Sequence, residues 1–322
     1  MATTRLYRDG VLTSEGFDVA DISEYIAESA CVVWADFVSP TEADLASIEE
    51  ELGLHELAIE DAVHEHQRPK LDRYDTHLFF AGYSVAFDAH TGEITKSEIK
   101  AFITPHALVT VHDDSFDMAS IVRRWDDDVD LAKHGVAYLL WGLLDAVVDG
   151  HFEAVQQLDT EIEELEDALF DDKPRGDSVQ RRSFHLRKSL VQLRRAVLPM
   201  REVVNTILRR DLELMDVAMQ PYFQDVYDHV LRATEWTESL RDLVTTILET
   251  NISIQGNRMN LIMKKVTSWA AIIAVPTAIT GFFGQNLLFT GFGTVWGVWL
   301  SLALIGVTST ALYLSFKRRD WL

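Results

Sequence analysis

Two uncharged stretches near the C-terminus decide the fold: VTSWAAIIAVPTAITGFF at residues 266–283 and VWGVWLSLALIGVTSTALYLSF at residues 295–316. Crossing the hydrocarbon core of a bilayer takes roughly 20 apolar residues, so each stretch is long enough to span a membrane. Basic residues flank the pair at both outer ends, as Lys264-Lys265 and as Lys317-Arg318-Arg319. Because basic residues stay on the cytoplasmic side, we expect a helical hairpin with both chain termini in the cytoplasm.

The rest of the chain is strongly acidic. The 322 residues carry a formal net charge of −22, to which the two uncharged stretches contribute nothing. This argues against nucleic acid as a partner and favours cations, although solubility alone is a competing explanation. The first residues lack the apolar segment of a signal peptide. The single cysteine, Cys31, excludes an intrachain disulfide and fits a reducing compartment.

Residues 1–134 are predicted to form a cytoplasmic α/β sheet domain. Apolar and β-branched runs predict strands at residues 31–37, 77–87, 98–103 and 107–112. A helix is predicted over residues 42–52, since Ser39-Pro40-Thr41 offers a start and Gly53 a stop. The turn signals at residues 88–92 and at Pro105-His106 separate successive strands.

Residues 135–265 are predicted to form a helical domain. The first helix, over residues 136–170, is acidic: residues 151–172 contain nine Asp or Glu and no Lys or Arg. The second, over residues 178–210, carries nine Lys or Arg against one acid, Glu202. The turn between them is short, so we expect an antiparallel pair with complementary charges. Two independently solvated faces are the alternative.

A third helix is predicted to start near Pro221 and to continue into the first uncharged stretch. From residue 222 to residue 283 the only helix-breaking residues are Gly256, Pro276 and Gly281. Such a helix of about 60 residues is roughly 90 Å long at 1.5 Å per residue, and it is a stalk that can carry a signal to the bilayer. Residues 266–322 then form a two-helix transmembrane domain with a basic C-terminal tail.

One face of the first predicted span suits the axis of a pore. Ala270, Ala274, Thr277 and Gly281 follow one another at spacings of four, three and four. Small residues let helices approach closely or leave room for ions, so a tight helix–helix contact remains the alternative. Two helices cannot enclose a water-filled path, and a pore therefore needs several chains around an axis. The second span is apolar all round and is expected to face lipid.

The polar tripeptide Gly284-Gln285-Asn286 follows the first predicted span. A ring of asparagine carbonyls on a symmetry axis can accept hydrogen bonds from the water shell of a hydrated ion. This suits Mg²⁺, which dehydrates reluctantly and prefers oxygen partners. A polar loop tip without a selective role is the alternative.

Four stretches of the chain together carry a resemblance to a known family. The first span and its ends contain NLIMKKVT at residues 260–267, Pro276 and GFFGQN at residues 281–286. Residues 67–70 are QRPK, preceded by His55 and Glu60-Asp61, and residues 222–229 and 317–322 are YFQDVYDH and KRRDWL. In this order they resemble the pore helix, the N-terminal signature, the start of the stalk helix and the basic tail of the CorA family of divalent metal ion (magnesium/cobalt) transporters.

The resemblance implies a homopentameric, funnel-shaped channel of the cell membrane that carries Mg²⁺, and often Co²⁺ or Ni²⁺, without a prosthetic group. It combines an α+β cytoplasmic domain, a long helical stalk and two C-terminal transmembrane helices. Asn286 would form the outer selectivity ring beside Gly284 and Gln285. The lower pore positions would be Thr277, Ala274, Val266, Met263 and Asn260. Mg²⁺ would also act as a regulatory ligand between neighbouring cytoplasmic domains, at Asp225 and, as a second candidate, Asp88.

Two departures from the family pattern leave other functions open. Gln285 stands where the Gly-Met-Asn signature has methionine, and residues 287–294 contain no acid. A ZntB-like, proton-coupled Zn²⁺ transporter and a non-conducting membrane ion sensor therefore remain alternatives. An enzyme is not expected: His64 and His66 with Glu60 and Asp61 lack the ligand spacing of a zinc hydrolase, and no phosphate-binding loop or nucleophile elbow occurs.

Overall fold

The computed structural model describes residues 2–28, 30–64, 67–170, 176–209, 216–285 and 293–322. The chain divides into two compact units, Met1–Ile247 and Leu248–Leu322. The division into residues 1–134, 135–265 and 266–322 stays a prediction.

The first unit is built around a mixed sheet of seven strands in the part of the chain that the structure describes. The strands are β1 (Ala2–Arg8), β2 (Val11–Glu15), β3 (Cys31–Val38), β4 (Lys70–Arg73), β5 (Leu78–Asp88), β6 (Glu93–Ile103) and β7 (Ala107–His112). Their order across the sheet is β2-β1-β3-β7-β6-β5-β4. Only the central pair β3–β7 is parallel among these neighbours; the others are antiparallel.

Helices cover both faces of this sheet. The α-helices of the described residues are α1 (Ile22–Ile26), α2 (Glu42–Leu52), α3 (Glu56–Val63), α4 (Met118–Asp127), α5 (Val129–Ala132), α6 (Val136–Phe170), α7 (Gly176–Arg209), α8 (Gln220–Phe283) and α9 (Val295–Arg318), of which α9 and the end of α8 belong to the second unit. Successive side chains of a strand point to opposite faces, and the fully buried neighbours Phe79 and Phe80 accordingly enter different cores. Phe79 packs in the core with α1, α2 and α3, and Phe80 packs in the core with α4, α6, α7 and the start of α8.

The helix predicted over residues 42–52 is confirmed as α2, together with its ends. Thr41 and Asp44 form a capping box, in which the Asp44 N–H donates to Thr41 Oγ1 and the Thr41 N–H donates to Asp44 Oδ2. Gly53 ends the helix in the left-handed region with φ of 59°. The last carbonyls of a helix need such a turn, and glycine adopts it without strain.

The predicted pairing of the acidic and basic helices is confirmed. Arg182 of α7 bonds Glu161 of α6 at 2.6 Å and Glu164 at 2.7 Å. One guanidinium thus bridges two carboxylates that lie one turn apart on the acidic helix, as opposite charges on adjacent antiparallel helices allow.

The third predicted helix is confirmed as α8, which runs unbroken over 64 residues. Within the described chain, α8 and α9 are the two helices long and apolar enough to cross a membrane. Only 6% of the residues in either apolar window are buried, so neither is a core helix of a soluble fold. In the second unit, one side of α9 is less exposed to solvent than the rest of the helix. The residues on this side follow one another at helical spacing and are Gly297, Ser301, Ile305 and Leu312.

Candidate functional site

The apolar part of α8 has two opposite faces. Ser268 is fully buried, and Val275 and Ile279 are half-buried. The predicted small-residue stripe of Ala270, Ala274, Thr277 and Gly281 is exposed. At 3.6 residues per turn the two sets lie on opposite sides of the helix. The two helices thus each have one less exposed side. In α8 this side, and not the small-residue face, is the surface that packs within the hairpin.

The lower predicted pore residues are exposed on the small-residue side of α8. Met263 and Val266 are 56% and 59% exposed, and Asn260 is exposed as well. Thr277 donates its hydroxyl proton to the carbonyl oxygen of Ile273 at 3.0 Å. A hydroxyl oxygen that donates in this way keeps its lone pairs for accepting hydrogen bonds, for example from a water molecule bound to an ion.

α8 ends at Phe283, directly before Gly284 and Gln285 of the predicted signature. The Gly284 N–H donates to Thr280 O at 2.8 Å, and the Gln285 N–H donates to Phe282 O at 3.3 Å. A Cβ at Gly284 would lie 3.0 Å from the same Thr280 oxygen, so this position favours glycine. Asn286 lies outside the described residues, as do residues 287–292, and its role in the selectivity ring stays a prediction.

Asp88 is the last residue of β5, directly before the turn to β6, where the sequence predicts a turn from Asp88 to Gly92. Its Oδ1 accepts hydrogen bonds from the backbone N–H groups of His90 at 2.8 Å and Thr91 at 3.4 Å. These bonds, chiefly that from His90, lower the pKa of Asp88 because they favour the ionised form. The carboxylate is exposed and charged at neutral pH, as a cation ligand must be.

Asp225 is exposed on the first part of α8, near two acidic residues that sequence reasoning missed. Asp145 and Asp149 of α6 share the guanidinium of Arg124, at 2.9 Å and 3.4 Å. Burial raises the pKa of Asp145, and the charges of Asp149 and Asp225 raise it further. The four-residue spacing of Asp145 and Asp149 on one helix face was the available signal. The described residues include no group of three or more His, Cys, Asp or Glu arranged to hold a metal ion.

The residues considered for an enzyme site are engaged elsewhere. Asp61 accepts hydrogen bonds from Lys70 Nζ at 2.6 Å and Gln67 Nε2 at 3.0 Å. The Nδ1 atom of His64 lies 2.8 Å from the Glu60 carbonyl oxygen, and His66 lies outside the described residues. The QRPK segment thus anchors β4 to α3 through Lys70 and Gln67.

Comparison with known proteins gives one family. The model of the CorA-like Mg²⁺ transporter protein family matches residues 29–318. The cobalt/magnesium transport protein CorA of Thermotoga maritima is 29% identical over 313 residues, which cover 95% of this chain and 88% of that protein. The complete structure of the CorA magnesium transporter from Methanocaldococcus jannaschii superimposes with a TM-score of 0.79 at 22% identity, covering 100% of this chain and 99% of that chain.

A zinc transporter is also among the relatives. The zinc transport protein ZntB of Yersinia pseudotuberculosis is 24% identical over 304 residues, which cover 92% of this chain and 89% of that protein. The family model covers far more than half of the chain and includes both apolar helices. The chain belongs to the family of CorA-like Mg²⁺ transporter proteins.

Proposed function

We propose that the protein is a channel for hydrated divalent cations, with Mg²⁺ as its main substrate and Co²⁺ and Ni²⁺ as further substrates. The observation that carries the proposal is the exposed small-residue face of α8, opposite the face that packs in the hairpin, in a member of this family. The hairpin lies in the cell membrane with both termini in the cytoplasm, because basic residues flank it at both outer ends.

The channel is a homo-oligomer, with five chains by resemblance to the family. The small-residue face is exposed in the part of the single chain that the structure describes, and two helices cannot enclose a path, so several copies around an axis are needed. Asn286, with Gly284 and Gln285, forms the outer ring. Thr277, Ala274, Val266, Met263 and Asn260 line the path below it. The side-chain oxygens of Asn286, Thr277 and Asn260 accept hydrogen bonds from ion-bound water, and neutral groups do not trap a doubly charged ion.

Intracellular Mg²⁺ also regulates the channel. Asp225 and the ionised Asp88 are exposed carboxylates in a protein of net charge −22. Carboxylates of neighbouring chains repel one another, and bound Mg²⁺ bridges them and favours the closed arrangement. Loss of the ion shifts the population towards the open one. Carboxylates from two chains are required because no complete cluster forms among the described residues of one chain.

The test is Mg²⁺ uptake into proteoliposomes that contain a magnesium-sensitive dye, with cobalt(III) hexaammine as blocker. The blocker has a rigid shell that resembles hydrated Mg²⁺, so blocked uptake supports a ring that binds hydrated ions. Zn²⁺ flux that follows a pH gradient, without Mg²⁺ flux, would instead place the protein beside ZntB. Absence of both fluxes from correctly assembled protein would contradict a channel and favour a membrane ion sensor.

A further inference from the structure

A cleft of about 910 Å³ opens in the first unit between the sheet, the loop before β4 and α7. Its floor includes the buried residues Lys100, Val111 and His112. Arg68 of the loop, Lys96 of β6 and Arg195 of α7 are exposed at its sides. The exposed cations of the cleft therefore come from three separate elements.

The lining of this cleft has the opposite charge to the protein as a whole. Two acids line it, Glu98 and Asp113, and both are engaged. Glu98 accepts a hydrogen bond from the Gln67 N–H at 2.9 Å, and Asp113 accepts one from the Ser115 N–H at 2.8 Å. Five basic residues line the same cleft, namely Arg68, Lys96, Lys100, Arg194 and Arg195. The excess of positive charge in a protein of net charge −22 makes this a local site for anions.

The cations at the sides of the cleft are not paired with acids in the part of the chain that the structure describes. Within the described ranges, no ion pair involves Arg68, Lys96 or Arg195. The Lys96 ammonium lies 5.6 Å from the ring centre of Tyr83. Burial lowers the pKa of Lys96, and the neighbouring Arg195 lowers it further. Two like charges held together in this way destabilise each other, and a bound anion relieves that repulsion.

Two further positive groups are fixed beneath them. Lys100, which is 5% exposed, donates to the carbonyl oxygens of Ala62 at 3.0 Å and His64 at 2.7 Å. The ring nitrogens of His112 lie 2.7 Å from Asp113 O and 3.2 Å from Asp36 Oδ2. Burial lowers the pKa of His112, but the bonds to Asp36 and Asp113 outweigh burial and raise it. Acceptors at both nitrogens favour the protonated form of this imidazole, which is paired with Asp36.

Part of the QRPK segment also lines this cleft. Lys70 is neutralised by Asp61 at 2.6 Å and by Asp72 at 2.7 Å. Arg68, two residues earlier, is exposed at the cleft instead. The same short motif therefore supplies two cations with different surroundings: Lys70 forms ion pairs within the fold, and Arg68 lines the cleft.

We propose that this cleft binds a polyphosphate group through Arg68, Lys96 and Arg195, because Arg194, which also lines it, pairs with Glu238 at 3.5 Å. Guanidinium groups match phosphate oxygens with paired hydrogen bonds, and several cations around one cleft fit a multiply charged anion. The volume lies within the range of clefts that hold small organic ligands. Leu198 and Pro199 add apolar surface that suits the organic part of a nucleotide. The site is independent of the cation pathway, because its charge repels Mg²⁺.

Binding would link three separate elements of the first unit. The ligand would join the sheet through Lys96, the loop before β4 through Arg68, and α7 through Arg195. Because a ligand that binds the folded state stabilises it by mass action, occupancy raises the stability of the first unit.

The experiment is isothermal titration of full-length protein in detergent, in magnesium-free buffer, with ATP, inorganic pyrophosphate and adenosine as probes. The test variant is K96Q/R195Q. The control variant is R187Q/R201Q, which removes the same charge from exposed positions of α7 that do not line the cleft. We expect binding of ATP or pyrophosphate with a Kd that rises about tenfold or more in the test variant, since two charge-assisted bonds are lost. The control keeps the wild-type Kd.

The two phosphate probes separate the possible sources of the ligand. Equal affinities for pyrophosphate and ATP indicate that the phosphates alone are bound, whereas tighter binding of ATP indicates that the base and ribose also contact the cleft. Adenosine binding as tight as that of ATP would overturn the proposal, as would equal weakening in both double variants or no binding at millimolar probe. Circular dichroism of each variant confirms that loss of binding is not loss of fold.

Discussion

The Thr277 hydroxyl donates to the carbonyl oxygen of Ile273 one turn earlier in α8, at 3.0 Å, on the face of the helix that does not pack in the hairpin. The bond satisfies the hydroxyl proton and leaves its oxygen exposed as an acceptor. Thr277 is therefore placed to exchange hydrogen bonds with water around a passing ion.

Thr277→Val keeps the shape of the side chain and removes this acceptor. We expect Mg²⁺ flux in proteoliposomes to fall by about two- to tenfold, the effect of one lost hydrogen bond. The matched control is Thr308→Val on the half-buried side of α9, where the hydroxyl donates to Leu304 O at 2.6 Å. A larger loss of flux in the control than in Thr277→Val would contradict the assignment of the path to α8.

Asn286→Ala tests the selectivity ring directly. We expect Mg²⁺ flux to drop to the level of empty liposomes, because the alanine side chain cannot accept hydrogen bonds from the hydration shell. Gln285→Met, which restores the family signature, should keep both the flux and its block by cobalt(III) hexaammine. Unchanged flux in Asn286→Ala would remove this residue from the pathway.

Regulation by Mg²⁺ predicts ion-dependent protection from protease. Millimolar Mg²⁺ should slow cleavage of the wild-type protein, and Asp225→Asn or Asp88→Asn should abolish that difference because an amide oxygen carries no net charge. The control is Asp130→Asn, whose side chain is 91% exposed beside Lys133. Equal cleavage rates of the wild-type protein with and without Mg²⁺ would rule out the ion bridge.

Two buried histidines predict a loss of stability in acid. Burial lowers the pKa of His77 and that of His151 to about 4 each, below the value of about 6.5 in an unfolded chain. Between these values the unfolded chain binds protons that the folded chain does not, so stability is complete above pH 6.5 and falls as the pH drops towards 4. Urea titrations from pH 7 to pH 4 measure this slope.

The change of the free energy of unfolding with pH should be smaller in His151→Gln. The glutamine amide can replace the hydrogen bond of 2.7 Å to Tyr83 O. His90→Gln, in the exposed turn after β5, is the control and should keep the wild-type slope. An unchanged slope in His151→Gln would show that this histidine does not set the acid limit.

Replacing glycine by alanine is expected to have opposite effects on stability at two helical positions, Gly142 and Gly256. A Cβ at Gly142 would lie 2.5 Å from Nε1 of Trp125, a fully buried ring that packs against Trp34. Gly142→Ala should therefore destabilise the protein by about 1–3 kcal/mol through overpacking. Gly256 in α8 has nothing within 4 Å of the added Cβ, so Gly256→Ala should stabilise by about 0.5–1 kcal/mol. Thermal unfolding of both variants provides the measurement, and a stabilised Gly142→Ala would contradict the packing argument.

The sequence predicts those elements whose signals are local. The apolar runs of β3 and β7, the capping box of α2 and the charge blocks of α6 and α7 all lie within short windows. The strands β1 and β4 escape notice because they contain charges that are neutralised by distant residues. Arg5 pairs with Glu15 at 2.6 Å and Asp126 at 2.8 Å, and no local pattern indicates such partners.

The same distinction applies to the candidate site. The small-residue face of α8 follows from residue spacing along one helix and is exposed in the structure, while its role as a pore lining stays a prediction. The proximity of Asp225 to Asp145 and Asp149 depends on how α8 packs against α6, which the sequence does not reveal. The cleft around Lys96 and Arg195 likewise combines elements that are far apart along the chain.

The parallel pairing of β3 with β7 has a consequence for synthesis on the ribosome. β3 ends at Val38, but its central neighbour β7 begins only at Ala107. Until β7 has emerged, the nascent chain exposes an unpaired edge of apolar β3, which is a template for aggregation. Non-local pairing of this kind folds slowly. We therefore expect the growing chain to require chaperone protection until β7 completes the sheet, before either apolar span is translated.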